Sequence, residues 1–223
     1  MLRKILLGVA ALCLLAQVPA LAKKEKTGVV EKDLFTDSMR AYQFTVPYNW
    51  KAKAEKEPSL LRVTLQKTKL EPLPAGGSRG SYDTDRYSPQ IIILADTTSL
   101  SVEEFADKLV AAKGQLSREK EYLMKVDLVM QSHPEQKIRF KAGNLDGLKF
   151  SFQRKYFREV SDPREKPFGL TAPVTIEEAL VGHLYVFKRN NSIYIIQCQG
   201  ERATYQFEEK EYQKLLESWN FIG

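Results

Sequence analysis

Cysteine and histidine are scarce in this sequence of 223 residues, which contains two of each. Cys13 lies in an apolar N-terminal segment, so removal of that segment would leave Cys198 as the only thiol and exclude an internal disulfide. Stability must then come from a packed core. The two histidines, His133 and His183, do not combine with the thiol at the spacing of a zinc site. The glycine-rich stretch 76–80 is neither a Walker loop nor a dinucleotide fingerprint, and we interpret it as an ordinary loop.

The first 22 residues have the features of an export signal. Arg3 and Lys4 form a short positive region, and Ile5 to Ala16 is an apolar run too short to span a bilayer. Ala20-Leu21-Ala22 then supplies the small residues that a signal peptidase needs. We predict cleavage after Ala22, which gives a periplasmic or secreted protein with a formal charge of +4. No later stretch approaches the ~20 apolar residues of a transmembrane helix.

The remaining chain is expected to form one domain. Residues 23–41 are charged and poor in apolar side chains, so we predict a flexible leader there and a single domain over residues 42–223. Alternating apolar residues predict strands at residues 42–46 and 61–66, the second with one solvent-exposed face. A continuous apolar run predicts a buried strand at residues 91–95.

Two amphipathic helices are predicted. Ser101-Val102-Glu103-Glu104 is a capping box, in which the serine hydroxyl accepts from a free amide and the glutamate reaches back. Apolar residues from Val102 to Val110 then form one stripe along the first helix. A second striped helix covers residues 204–218. Residues 115–132 fit either a further helix or a helix that leads into a strand.

Two hairpins complete the predicted sheet. The first pairs Phe140 with Phe150 across a turn at residues 143–147, which places its apolar residues on one face. The second turns at Asn190-Asn191, and that turn places His183 opposite Cys198. Together these elements predict an α+β fold, an α/β/α sandwich with a mainly antiparallel central sheet.

The order of the elements resembles the PsbP-like proteins, the family of an extrinsic photosystem protein and of exported bacterial relatives. The resemblance is carried by an aromatic-Pro-aromatic segment, a helix start, a hairpin turn, a strand and a terminal aromatic motif: Tyr42–Trp50, Leu100–Phe105, Asn144–Gly147, Tyr194–Gln199 and Trp219–Phe221. It implies the same α/β/α sandwich and a binding or assembly role. No catalytic residue is implied by it.

Cys198 and His183 are the candidate catalytic pair. Cross-strand neighbours have Cβ atoms about 5 Å apart, which is close enough for a Cys–His dyad. However, no acidic residue is evident to orient the imidazole, and burial raises the pKa of a thiol. We therefore interpret the pair as core residues and keep a thiol-dependent enzyme as an alternative. Asp83-Thr84-Asp85 is interpreted as solvated loop carboxylates, so no metal or cofactor is predicted.

A basic surface on the first hairpin is the main functional hypothesis. The predicted register places Lys141 directly opposite Lys149, and like charges in that position destabilise a sheet. We expect the surface to dock a protein or an anionic envelope polymer, and the export signal argues against nucleic acid. An edge kept basic against aggregation and a structural envelope component are the alternatives. The candidate docking residues are Lys137, Arg139, Lys141, Lys149, Arg154, Lys155 and Arg158. The sequence thus predicts an exported, non-catalytic binding or assembly factor of the cell envelope.

Overall fold

The computed structural model describes residues 25–70, 87–111, 137–160, 172 and 174–223. Within these ranges the chain forms two helices, α1 (Val102–Ala111) and α2 (Tyr205–Ser218). The strands are β1 (Val29–Glu31), β2 (Leu34–Asp37), β3 (Tyr42–Thr45), β4 (Trp50–Ala54), β5 (Leu61–Lys67), β6 (Gln90–Thr97), β7 (Ile138–Ala142), β8 (Leu145–Val160), β9 (Val174–Arg189), β10 (Ser192–Glu201) and β11 (Asn220–Phe221). The predictions for residues 76–80, 83–85 and 115–132 lie outside the described residues.

The strands form two antiparallel sheets. The large sheet has seven described strands in the order β4-β5-β6-β10-β9-β8-β7, and the small sheet has four in the order β1-β2-β3-β11. The strands β9 and β10 lie in the interior of the large sheet, as their apolar sequence predicts. Their hairpin turns at Asn190-Asn191, where Asn190 has a φ of 54°. His183 is paired with Cys198. The predicted second hairpin is therefore confirmed.

The two faces of the large sheet are covered by different layers. Residues on one face, such as Leu94 and Ile195, pack with Phe105 of α1. Residues on the other face pack with α2 and with β3 of the small sheet, through side chains that include Leu216 and Phe44. The fold is thus α+β and dominated by antiparallel sheet. With one short described helix on each face, it matches the predicted α/β/α sandwich only loosely.

Stacked aromatic rings join the small sheet to α2 and to the large sheet. Trp219 follows α2 directly, and its ring lies parallel to that of Tyr42 with centroids 4.3 Å apart. The same indole meets Phe187 of β9 edge-on, with centroids 5.3 Å apart. Such ring pairs stabilise a core beyond the area that they bury. Both Tyr42 and Trp219 are buried, so this contact fixes the position of the small sheet.

The predicted capping box begins α1. The backbone N–H of Glu104 donates to Ser101 Oγ over 3.1 Å, and Glu104 Oε2 accepts from the Ser101 N–H over 2.8 Å. These bonds to Ser101 lower the pKa of the Glu104 carboxyl. The reciprocal pattern is that of the motif read from the sequence, and the start of α1 is confirmed.

The prediction of a flexible leader is wrong for residues 25–41. This segment contains β1 and β2, and both Phe35 and Asp37 are fully buried. The exposed face predicted for β5 is observed only in part, since Gln66 is exposed and Thr64 half-buried, whereas Arg62 is 1% exposed. In both places the charged residues are buried because they form ion pairs, which a count of polar residues does not reveal.

The predicted register of the first hairpin is wrong by three residues. Phe140 pairs with Gly147 rather than Phe150, and Lys141 pairs with Asp146 rather than Lys149. Two glycines account for the difference. Gly143 has a φ of 55°, which suits a tight turn. A Cβ at Gly147 would lie 2.2 Å from the carbonyl oxygen of Val186, so glycine is required where β8 approaches β9.

Candidate functional site

The predicted basic surface is divided between two faces of the large sheet. Arg139 pairs with Leu148, whose side chain lies in the core beneath α1, so Arg139 lies on that face. Lys149 pairs with Ile138 and lies on the opposite face. The single face expected for these residues is therefore wrong. The side chains of Arg154, Lys155 and Arg158 lie outside the described residues, and a docking role for the set stays a prediction.

The four described members of this set each have an acidic neighbour. Arg139 and Lys137 contact carboxylates on α1, whereas Lys149 is 4.0 Å from a carboxylate on α2. Lys141 Nζ is 3.7 Å from the carboxylate of its cross-strand partner. The charge of this region is thus balanced within the chain. The four pairs are Lys137–Asp107, Arg139–Glu103, Lys141–Asp146 and Lys149–Glu209.

The candidate catalytic pair lies under α2. Cys198 is fully buried, and burial raises the pKa of its thiol although Lys149 acts in the opposite direction. Burial and the nearby charge of Lys149 lower the pKa of His183 to about 4, and its Nδ1 lies 2.6 Å from the Tyr205 hydroxyl oxygen. A thiolate–imidazolium pair requires a lowered thiol pKa and a raised imidazole pKa, and both shifts here have the other sign. At neutral pH both groups are therefore uncharged, and the predicted buried thiol is confirmed.

Two buried ion clusters were not predicted. In the first, Arg62 of β5 donates to both carboxylate oxygens of Asp37, with Nε 2.7 Å from Oδ2. It also contacts Glu57 Oε1 over 2.6 Å and donates to the Ser59 carbonyl over 3.0 Å. Partial burial acts to raise the pKa of Glu57, but bonding and attraction to Arg62 outweigh it and lower that pKa. The cluster ties β2 of the small sheet to the β4–β5 hairpin.

The second cluster joins β5 to α2. Lys67 Nζ lies 2.9 Å from Glu211 Oε2 and 3.7 Å from the buried carboxylate of Glu208. The indole N–H of Trp50 donates to the same Glu211 oxygen over 2.8 Å. The charge of Lys67 on β5 is thus offset by carboxylates of α2. The ammonium group of Lys67 is therefore already paired with carboxylates inside the fold.

A groove of about 960 Å³ lies beside β1 and β4. Its charged lining residues are all lysines, namely Lys26, Lys51, Lys53 and Lys67. The first three are exposed, and within the described chain none of them forms an ion pair. Hydroxyl and apolar side chains complete the lining, among them Thr64, Ser88, Val29 and Val30. We name this feature the lysine groove.

The lysine groove runs along two strand edges. The strand β1 is the end strand of the small sheet and β4 is the end strand of the large sheet. Just before β1, the Thr27 N–H donates to the Glu55 carbonyl over 2.9 Å, so the two segments are joined at one end. From Val29 onward the chain pairs with β2 instead. The groove lies where the two edges are no longer hydrogen-bonded to each other.

The free edge of β4 presents backbone groups to the groove. The Glu55 N–H donates to the Arg62 carbonyl, and the Thr68 N–H donates to the Asn49 carbonyl. Odd-numbered residues of this segment therefore bond to β5, and the N–H and C=O groups of Ala52 and Ala54 point away from it. In the described residues no strand pairs with that side of β4. Unpaired edge groups are available to another extended chain.

The sequence contained a signal for this site that the first-hairpin hypothesis did not use. Lys51 and Lys53 alternate with Ala52 and Ala54 in β4, a pattern of alternating charge on a strand. Lysines are common on edge strands because they discourage aggregation. The pattern does not reveal that residues 25–30 form the other side of a groove. Arg62 also donates to the Thr27 carbonyl, and this bond holds the residues that precede β1 beside β5.

No protein-family model matches the chain, and no curated protein gives a significant match. Solved structures that the chain is similar to include a Bacteroides thetaiotaomicron protein, at 10% identity and a TM-score of 0.37, with 82% of this chain and 46% of the other covered. LpqN, a Mycobacterium tuberculosis protein involved in cell envelope biogenesis, is 11% identical with a TM-score of 0.38, and 89% and 91% of the chains are covered. Cyanobacterial PsbP from Synechocystis sp. PCC 6803 is 10% identical with a TM-score of 0.36, and 91% and 99% are covered.

The chain thus spans less than half of the length of the Bacteroides protein. These TM-scores correspond to a loose overlap, so the resemblance to PsbP-like proteins stays a prediction. Among the described residues no helix combines the length and the apolar character needed to cross a bilayer.

Proposed function

We propose that this protein is an exported, non-catalytic binding or assembly factor of the cell envelope that docks an anionic partner in the lysine groove. The observation that carries the proposal is the composition of the groove, whose charged lining consists of lysines alone. Lys51 and Lys53 lie two residues apart on one face of β4, about 7 Å from each other. Clustered charge of one sign in a concave surface raises the local concentration of an oppositely charged partner.

The absence of catalysis is supported by the state of the candidate dyad. Cys198 is buried with a raised thiol pKa, and His183 is held neutral beside Tyr205. The thiol is therefore not ionised at neutral pH, and an imidazole with a pKa of about 4 is too weak a base to deprotonate it. We therefore assign the pair a structural role in the core beneath α2.

The groove is tested by titrating the protein with two anionic probes, poly-L-glutamate and inorganic polyphosphate, and measuring affinity by calorimetry. We expect at least one probe to bind, with an affinity that falls as salt concentration rises. The variant Lys51→Gln/Lys53→Gln should weaken binding by about tenfold, because two exposed charges of the site are lost. Lys210→Gln/Lys214→Gln is the matched control, since it removes the same charge from exposed positions on α2. No binding of either probe, or an equal loss in both variants, would refute the proposal.

Export is tested separately by producing the full chain in a bacterium and determining the N-terminus of the mature protein. We expect it to begin at Lys23 and to be found outside the cytoplasm. The variant Ala20→Leu/Ala22→Leu removes the small residues of the predicted cleavage site and should leave the signal attached. Recovery of the uncleaved wild-type chain from the cytoplasm would contradict the prediction.

A further inference from the structure

We infer that the lysine groove binds an extended acidic peptide segment of a partner protein, which adds as an antiparallel strand to the free edge of β4. The inference rests on the proposed function and names the class of partner. Two independent features of the groove support it. One is the row of backbone groups on β4, and the other is the spacing of the lysines along that strand.

The backbone groups favour a polypeptide over another anionic polymer. Ala52 and Ala54 direct their N–H and C=O groups into the groove, and an added strand would satisfy these donors and acceptors alternately. A polyphosphate or polysaccharide lacks the regular alternation of amide donors and carbonyl acceptors. Addition of a strand to an exposed sheet edge is a recurring mode of peptide recognition, in which backbone bonds supply affinity and alternate side chains supply specificity.

The lysines define the side chains that the segment should carry. Lys51 pairs with Gln66 and Lys53 with Thr64, so both lysines project from the same face of the sheet. Residues directly opposite in an antiparallel pair lie on one face, with Cβ atoms about 5 Å apart. A segment with acidic residues at positions i and i+2 would therefore place one carboxylate opposite each lysine. The residue between them would lie opposite Ala52.

The opposite wall of the groove suits the other face of such a segment. Val29 and Val30 of β1 line the groove and are 58% and 40% exposed. Apolar residues at the positions flanking the acidic pair would cover whichever of these consecutive valines faces them, since successive side chains of a strand project to opposite faces. The inferred recognition sequence is thus an alternation of acidic and apolar residues.

The test uses the peptide Val-Glu-Val-Glu-Val, with both ends blocked, and two N-methylated versions of it. In the inferred complex the amide of the central valine points toward β4, whereas the amides of the glutamates point away from it. N-methylation of the central valine should therefore weaken binding by about tenfold or more, because it removes a donor and adds bulk at the edge. N-methylation of the first glutamate is the matched control with the same charge and should retain binding.

The outcomes separate this inference from the proposed function. Binding of the peptide that is lost on central methylation and on Lys51→Gln/Lys53→Gln supports both. Equal binding of the two methylated peptides, or binding of polyphosphate without binding of the peptide, refutes strand addition and leaves the groove as an anion site. No binding of any probe refutes both. Self-association of the protein at this edge, detected by sedimentation and lost in Lys51→Gln/Lys53→Gln, would make a second copy the occupant and overturn the inference.

Discussion

Removal of the Asp37 carboxylate should strongly destabilise the protein. Asp37 is fully buried and Arg62 is 1% exposed, so the variant Asp37→Ala leaves a buried guanidinium without its bidentate partner. Breaking a buried ion pair from one side costs about 3–5 kcal/mol. For a domain of this size each kcal/mol lowers Tm by about 2–4 °C, so the expected decrease is about 6–20 °C. Glu57 remains beside Arg62 and places the result toward the lower end of that range.

The measurements are thermal unfolding for Tm and urea unfolding for the free energy, both followed by tryptophan fluorescence, because Trp50 and Trp219 are both buried. The double variant Asp37→Ala/Arg62→Met should be more stable than Asp37→Ala alone, since it also removes the stranded charge. Glu103→Ala is the control, because it breaks the exposed pair with Arg139 and should cost less than about 1 kcal/mol. A cost below about 1 kcal/mol for Asp37→Ala, or additive effects in the double variant, would refute the reasoning.

Further outcomes follow from the core beneath α2. The pKa of His183 is lowered from 6.5 to about 4, so the unfolded state is protonated first and stability is lost as pH falls between these values. Between pH 7 and 5 the free energy of unfolding of His183→Gln, measured in urea, should therefore fall by roughly 2 kcal/mol less than that of the wild type. The Cys198 thiol should resist alkylation in the folded protein and react once denaturant is added, and rapid labelling without denaturant would contradict its burial. Gly182→Ala should unfold the protein or lower its stability severely, because the added Cβ would lie 2.1 Å from the Cys198 carbonyl oxygen, and a near-normal melting temperature would show that the strands can separate there.

Local rules predicted the elements whose geometry is set within a few residues. The capping box at Ser101 and Glu104 forms the reciprocal bonds expected of it. The Asn190-Asn191 turn fixed the pairing of His183 with Cys198, because a two-residue turn determines the register of a hairpin. In these cases the spacing of the residues in the sequence directly determines which of them are in contact.

The sequence was a poor guide where distant residues decide the outcome. The apolar pattern of the first hairpin fits more than one register, and the observed one depends on Gly147 approaching Val186 of a different strand. Arg62 was expected to be exposed because its ion-pair partner, Asp37, lies 25 positions away in a segment of charged composition. One side of the lysine groove is held by another long-range contact, in which Arg62 donates to the Thr27 carbonyl. Its lysines could be listed from the sequence, but their convergence could not.

The pairing of β11 with β3 has a consequence for how the molecule is made. Asn220 and Phe221 lie opposite Gln43 and Tyr42, so the small sheet joins segments that are far apart in the sequence. A ribosome supplies β3 first, and β3 must wait for this partner until the residues between it and β11 have been synthesised. The final register of this sheet is therefore set late, and removal of Asn220 and Phe221 would leave one edge of β3 open.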